Sequence, residues 1–327
     1  MEVLVVGGTR FIGRHLVKEL QKVGHHVTIL HRRAGHPYGS KVAELLGDRN
    51  SPESIKAALA GRTFDAVFDN AYDWDRGGTT AAQVSATAMA CGDKLQRYVF
   101  MSSVSAYGDG LNHQEGDGLA KDEHLDSYVR NKAQSERALF RLHARHGLPV
   151  VTLRPPFIYG PGNSYYREQF FWDRLKLGRP ILIPGDGRRL GQFVYVRDLV
   201  AACLAVLEAP GAVGHAFNVA NPRSVTQVEL VQALAAAAKV QPIMVHVPRE
   251  HLMAAGGHPL RPPLYFGDCF DLPPITMVTQ KVQRILKWKA TPFEVGLKET
   301  YRWYQKDWTS PPQNFDFEDK IIADHRH

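Results

Sequence analysis

The chain has 327 residues, 44% hydrophobic and 22% charged, with 40 Lys and Arg against 33 Asp and Glu for a net charge of +7. That length suits a nucleotide-binding body with a smaller lobe inserted or appended, and the ordinary composition excludes a disordered or repetitive chain. The basic excess admits a phosphate-bearing ligand, yet no Lys/Arg block is long enough for a nucleic-acid arm, so a small-molecule partner is expected and specific nucleic-acid binding is not.

The first elements follow one another without a gap. An apolar run, Val3 to Val6, begins beside Met1 and stops at Gly7, too short for a signal peptide or a membrane span, so a cytoplasmic chain with no membrane contact is expected. A glycine-rich turn, a helix over 11–23 ended by Gly24 and a second strand over 26–30 complete a βαβ unit. Further buried strands are predicted at 66–69, 98–101, 150–153 and 216–219, with helices at 80–91, 128–146 and 198–208 between them. This alternation predicts an α/β fold, a doubly wound parallel sheet of Rossmann type covered on both faces. From Pro161 onward aromatic and proline content rises, which predicts a smaller C-terminal substrate-binding lobe. The expected division is 1–160 for the dinucleotide-binding body, completed by 191–220, and 161–190 with 221–308 for the lobe. Residues 309–327 lack clear periodicity and read as a loosely attached tail, its terminal His325-Arg326-His327 solvated. Cys91, Cys203 and Cys269 have no paired spacing and read as buried free thiols, so neither a disulfide nor a metal site is expected.

Gly7-Gly8-Thr9-Arg10-Phe11-Ile12-Gly13 lies between the first strand and the first helix. Small residues there permit a tight turn and close approach of the backbone to a pyrophosphate, and the helix N-terminus favours the phosphates. Gly7, Thr9, Arg10, Phe11, Ile12 and Gly13 are therefore candidate cofactor contacts. The second strand runs into His31-Arg32-Arg33, where an NAD site commonly has an acid for the ribose 2′-hydroxyl. An arginine suits a 2′-phosphate instead, so NADP(H) is preferred through His31, Arg32 and Arg10, with NAD(H) as the alternative. After the third strand, Asp48 and Arg49 are placed to reach the adenosine, a helix-capping role for Asp48 being the alternative.

Strand 98–101 runs into Ser102-Ser103-Val104-Ser105-Ala106-Tyr107-Gly108, and Tyr128-Val129-Arg130-Asn131-Lys132 follows on a predicted helix. Positions four apart share a helix face, so Tyr128 and Lys132 point the same way. An ammonium beside a phenol lowers its pKa, and a serine at a strand end can hold a carbonyl or alkoxide oxygen while the tyrosine moves a proton. Carbonyl-to-alcohol chemistry with a nicotinamide hydride needs these parts.

These residues resemble the extended short-chain dehydrogenase/reductase family, of the NAD-dependent epimerase/dehydratase kind, over nearly the whole chain. Arg154-Pro155-Pro156-Phe157-Ile158-Tyr159-Gly160-Pro161 is similar to that branch's post-catalytic segment, and Lys281 through Pro292 to its C-terminal signature. The resemblance implies Ser103, Tyr128 and Lys132 as catalytic residues, with cofactor contacts also at Ala71, Met101, Tyr128, Lys132, Pro155 and Pro156. A homodimer is the assembly left open. The glycine turn and Phe170 through Leu175 are similar to an atypical subgroup that includes the chloroplast stem-loop RNA-binding proteins. Phe157 and Gly191 stand where the family's nucleotide-sugar enzymes often have an Asn and an Arg, and Val104-Ser105 where the sugar 4,6-dehydratases have an acidic pair. The expected function is an NADP(H)-dependent oxidoreductase acting on a carbonyl or secondary alcohol. A nucleotide-sugar epimerase and an RNA-binding or NADP-sensing non-enzyme are the alternatives.

Overall fold

A computed structural model describes residues 1–92 and 94–324. Seven parallel strands form the central sheet: β1 (Glu2–Val6), β2 (His26–His31), β3 (Val42–Leu46), β4 (Ala66–Asp69), β5 (Arg97–Met101), β6 (Val150–Arg154) and β7 (His215–Asn218). Their spatial order is β7-β6-β5-β4-β1-β2-β3. The strands are short apolar runs because both faces are covered. In β1, Val3 and Val5 join one buried cluster with Leu16, Val17 and Leu20, while Leu4 and Val6 join another with Ile55, Leu59 and Phe100. The strand order reverses between β1 and β4, which opens a crevice at their carboxyl ends.

Local chemistry sets the covering helices. Helix α1 (Phe11–Lys22) packs Leu16, Val17 and Leu20 on the sheet. Helix α2 (Pro52–Leu59) starts at Ser51, whose side chain accepts from the Ser54 amide, with Pro52 at the first position. A reciprocal Thr80–Gln83 cap opens α3 (Ala81–Ala90). In α4 (Ser127–His146) the Asp126 carboxylate accepts from the amides of Tyr128 and Val129, and Gly147 ends the helix at φ +69. These caps hold the Tyr128 turn at one end of a twenty-residue helix.

A second core lies beyond the sheet. Phe170, Phe171 and Trp172 of α5 (Glu168–Lys176) are fully buried with Tyr265, Phe266 and Leu297. Strands Ile181–Pro184 and Met244–Val247 pair in parallel beside them. α6 (Val196–Glu208) returns to the central sheet, where Leu199, Cys203 and Val206 join the first cluster. Among the described residues no helix is long and apolar enough to cross a membrane.

Two expectations are corrected. The tail is not loose over its described part: Asp316–Asp324 is helical, its Glu318 pairs with buried Arg174 at 2.5 Å, Ile321 is buried, and the Ser310 hydroxyl donates to Asp173. The attachment is through a buried ion pair and Asp173, contacts that hydrophobic periodicity does not reveal. Its terminal His325-Arg326-His327 lies outside the described residues. The third cysteine, Cys269, is only partly buried and adopts φ +69, whereas Cys91 and Cys203 are buried as expected.

Candidate active site

The glycine turn closes against the start of β4's loop. Gly7 adopts φ +84, and a Cβ there would stand 3.2 Å from the Ala71 amide; one at Gly13 would overlap the Gly7 carbonyl oxygen. The turn is thus a cradle with no room for side chains at its two outer glycines. Arg10 caps α1 in an extended conformation without a side-chain bond to its amides, so the helix's first turn keeps donors for an anion. Two further features fit a bound dinucleotide. Both polar atoms of the Asn70 side chain, at the crevice end of β4, are buried without a partner, and Tyr38 donates to the Gly8 carbonyl at 2.5 Å, bracing the turn from outside. Neither Asn70 nor Tyr38 was read as a site residue from the sequence.

At the adenosine end, folding brings acids to a strand end that has none of its own. His31 Nε2 lies 2.6 Å from Glu44 of the neighbouring strand, so this ring is turned toward β3. Arg32 donates to Asp73 at 3.1 Å, and Asp73 also accepts from Asn50 at 2.9 Å and from Arg76 at 2.8 Å. Arg76 grips Asp48 through two bonds of 2.9 and 2.7 Å, which hold the Asp48 carboxyl at about 2. Asp48 does not cap α2, a place taken by Ser51. Arg49 corrects its expectation outright: it is buried, pairs with Asp69 at 2.5 Å and donates to the Gln83 carbonyl, so it braces the core instead of facing the crevice.

At the other end, Ser103, Tyr128 and Lys132 come together. Ser102 donates to buried Glu136 at 2.5 Å and is unavailable, whereas the Ser103 hydroxyl accepts from the Ser105 amide at 3.1 Å and faces the Tyr128 phenol. The Lys132 ammonium donates to the Met101 carbonyl at 2.7 Å and stands 4.9, 5.2 and 5.7 Å from the ring centres of Phe100, Tyr72 and Tyr128. The Tyr128 ring stacks on Trp74 at 4.8 Å and meets the edge of Tyr72 at 4.9 Å. Burial pushes the phenol up to about 12, against a downward pull from Ser103, and brings the Lys132 amine down to about 8. Burial outweighs the pull of Ser103 and Arg167, so the net shift of the phenol is upward.

A buried network stands behind these groups. Glu136 accepts from Thr152 at 3.0 Å and from two Arg154 nitrogens at 2.9 and 2.7 Å; Arg154 donates to the Tyr107 hydroxyl, which donates to Asn218. Glu136 lies one and two helical steps from Lys132 and Tyr128 on the same face of α4, a spacing the sequence already displays. The Pro155 carbonyl accepts from the Val104 amide at 2.9 Å, tying the segment after β6 to the serine turn, and Pro156 leads into Phe157, whose ring packs on Phe193 and Phe270. No cluster of metal-ligating side chains occurs among the described residues.

Comparison with known proteins agrees with this architecture. The model of the "NAD dependent epimerase/dehydratase family" matches residues 3–220. The chain is 31% identical over 321 residues to the chloroplast stem-loop binding protein of 41 kDa b of Arabidopsis thaliana, covering 92% of this chain and 78% of that one. It is 26% identical over 338 residues to dTDP-4-dehydro-6-deoxy-D-allose reductase of Streptomyces bikiniensis, covering 93% and 96%. Among solved structures, dTDP-glucose 4,6-dehydratase of Bacillus anthracis in complex with NAD superposes with a TM-score of 0.74 at 19% identity, covering 94% of this chain and 97% of that one. With a Rossmann-type sheet, a glycine cradle at its switch point and a family match over two thirds of its length, the chain belongs to the NAD-dependent epimerase/dehydratase family.

Proposed function

We propose that the chain is an NADP(H)-dependent oxidoreductase that interconverts a carbonyl and a secondary alcohol. One observation carries the reading: the Tyr128 phenol faces Ser103 beside the buried Lys132 ammonium, at the carboxyl end of the sheet that also bears the glycine cradle. In this reading residues 1–160, completed by 191–220, hold the cofactor, and 161–190 with 221–308 hold the substrate. When bound, the nicotinamide supplies the hydride.

The chain's own residues do the rest. The backbone of Gly7 to Gly13 and the open amides of α1 receive the pyrophosphate. Tyr128 donates its proton to the carbonyl oxygen as charge develops there, while the Ser103 hydroxyl donates a hydrogen bond to the same atom. Lys132, fixed by the Met101 carbonyl, offsets the charge left on the phenolate. Trp74 and Tyr72 cover the phenol ring and limit its contact with water.

NADP(H) is favoured over NAD(H) because Arg32, 39% exposed at its side chain, has one nitrogen on Asp73 and further donors to offer a 2′-phosphate. In the lobe Arg189 and Arg249 both pair with buried Asp271, at 3.0 and 2.9 Å, which engages two guanidiniums that a diphosphate could use and weighs against a nucleotide-sugar epimerase. A nucleic-acid reading has one specific support, the relative named for stem-loop binding. Mass spectrometry of the ligand retained on purification tests the proposal. A nicotinamide dinucleotide carrying the 2′-phosphate is expected; retained RNA with no dinucleotide would refute it.

A further inference from the structure

A lobe guanidinium with no carboxylate partner among the described residues stands against the aromatic rings beside the serine turn. Arg167, at the cap of α5, donates through Nε to the Asp268 carbonyl at 3.3 Å and forms no ion pair among the described residues. Three other lobe arginines are closed by acids, Arg174 by Glu318 and Arg189 and Arg249 by Asp271. Aromatic faces hold Arg167 instead: its guanidinium carbon lies 4.5 Å from the ring centre of Tyr165, 5.2 Å from Phe157 and 6.0 Å from Phe270. Such a setting orients the side chain without cancelling its charge and leaves its terminal donors for a planar oxyanion.

The location matters as much as the charge. The Arg167 guanidinium pulls both the Tyr128 and the Tyr165 phenols downward against the upward push of burial, and Arg10 of the glycine turn also pulls on Tyr165, so Arg167 acts on the same phenol as the glycine turn does. Phe157 follows directly on Pro155-Pro156, beside the serine turn. The adjacent acid, Glu168, is buried, bonded by Asn163 at 3.1 Å and pushed up to about 7, so its opposition to Arg167 is weakened near neutral pH. Asp268, next to the carbonyl that Arg167 uses, is engaged by the Cys269 thiol at 3.1 Å.

We propose that Arg167 receives a carboxylate or phosphate carried on the same molecule as the reacting carbonyl, and holds it between the rings of Phe157 and Tyr165. The inference rests on the reductase reading of Tyr128 and adds the substrate's class: a carbonyl compound with a single anionic group and an apolar portion that suits the aromatic walls.

Calorimetric titration of the NADP⁺-saturated protein tests this without turnover, using phenylglyoxylate, its neutral methyl ester and dihydroxyacetone phosphate. At least one anion binds about 10-fold or more tighter than the ester, as a charge-assisted bond implies. Arg167→Met erases that preference and Arg167→Lys restores part of it, while NADP⁺ affinity and Tm stay at their wild-type values. Tighter binding of phenylglyoxylate identifies a carboxylate, and of dihydroxyacetone phosphate a phosphate. Equal binding of ester and anions, a preference that survives in Arg167→Met, or no binding by any of the three overturns the proposal. Failure of the reductase reading looks different: Arg167-dependent binding persists, but no probe is reduced by NADPH, or Tyr128→Phe reduces it as fast as wild type.

Discussion

The two ends of the crevice are built from the same residue types in opposite ways. At the adenosine end Arg32, Asp48 and Arg76 are 39%, 35% and 42% exposed at their side chains, and the two arginines share a buried acid, Asp73, while keeping their outer donors in water. At the catalytic end Ser102, Glu136 and Arg154 are buried, and each polar group has a fixed partner. Exposed pairs exchange partners at little cost, so that end can open its arginines to a phosphate. Buried pairs are costly to disturb, so that end holds Ser103 and Tyr128 in one geometry. On the proposed function, the difference separates a region that tunes ligand choice from one that fixes chemistry.

Substitutions at the two ends break or sharpen that contrast. The largest effect falls on Tyr128→Phe, which removes the mobile proton and lowers turnover by about 100- to 10,000-fold, with NADPH binding nearly unchanged. Initial rates beside a cofactor titration check it, and full activity in the variant would dissolve the contrast. Glu136→Ala leaves Arg154 buried without its carboxylate and destabilises the fold by about 3–5 kcal/mol, read as a shift in denaturant midpoint. A midpoint equal to wild type would mean that the network is not a brace.

Smaller effects belong to the adenosine end. Wild type binds NADPH about 10- to 100-fold more tightly than NADH, and Arg32→Ala removes most of that ratio. Asp73→Asn releases Arg32 and Arg76 from their shared acid and widens the ratio further, by about 10-fold or less. Equal affinities in wild type would sink the NADP(H) assignment, and an unchanged ratio in Asp73→Asn would show that the acid does not compete. The pH profile is the mildest test. Tyr128, at about 12, keeps its proton through the working range, and Lys132, at about 8, keeps its charge only below that value. Reduction is therefore flat from about pH 6 to 7, falls to about half near pH 8 and declines further above, as the ammonium discharges. A rate that climbs through that interval would point to a phenolate base instead.

How much of this was visible in the sequence depends on range. The glycine turn and the Tyr128–Lys132 pair are local patterns, and both read directly, as did the strands whose burial on two faces makes them continuous apolar runs. Glu136 was also within reach, since it extends the Tyr128–Lys132 face by one more turn. Asp73 was not: it reaches Arg32 only because β4 lies beside β1 and β1 beside β2, so a loop distant in sequence supplies the acid that the second strand lacks. Arg49 was misjudged for the converse reason, because its partner Asp69 lies at the end of β4 and draws it inward. The pairs at Phe157–Tyr159 with Phe193–Tyr195 and at Leu190–Gly191 with Val225–Thr226 are too short for any period to show. Arg167 belongs to no motif in the sequence, and only the fold brings Tyr165, Phe157 and Phe270 to its guanidinium.

The most direct test of the central claim follows NADPH absorbance and products together, with carbonyl compounds and sugar nucleotides offered to the purified protein. A reductase must release oxidised cofactor on every cycle, so alcohol should form with stoichiometric consumption of NADPH. Interconversion of a sugar nucleotide with no net use of cofactor would contradict the account.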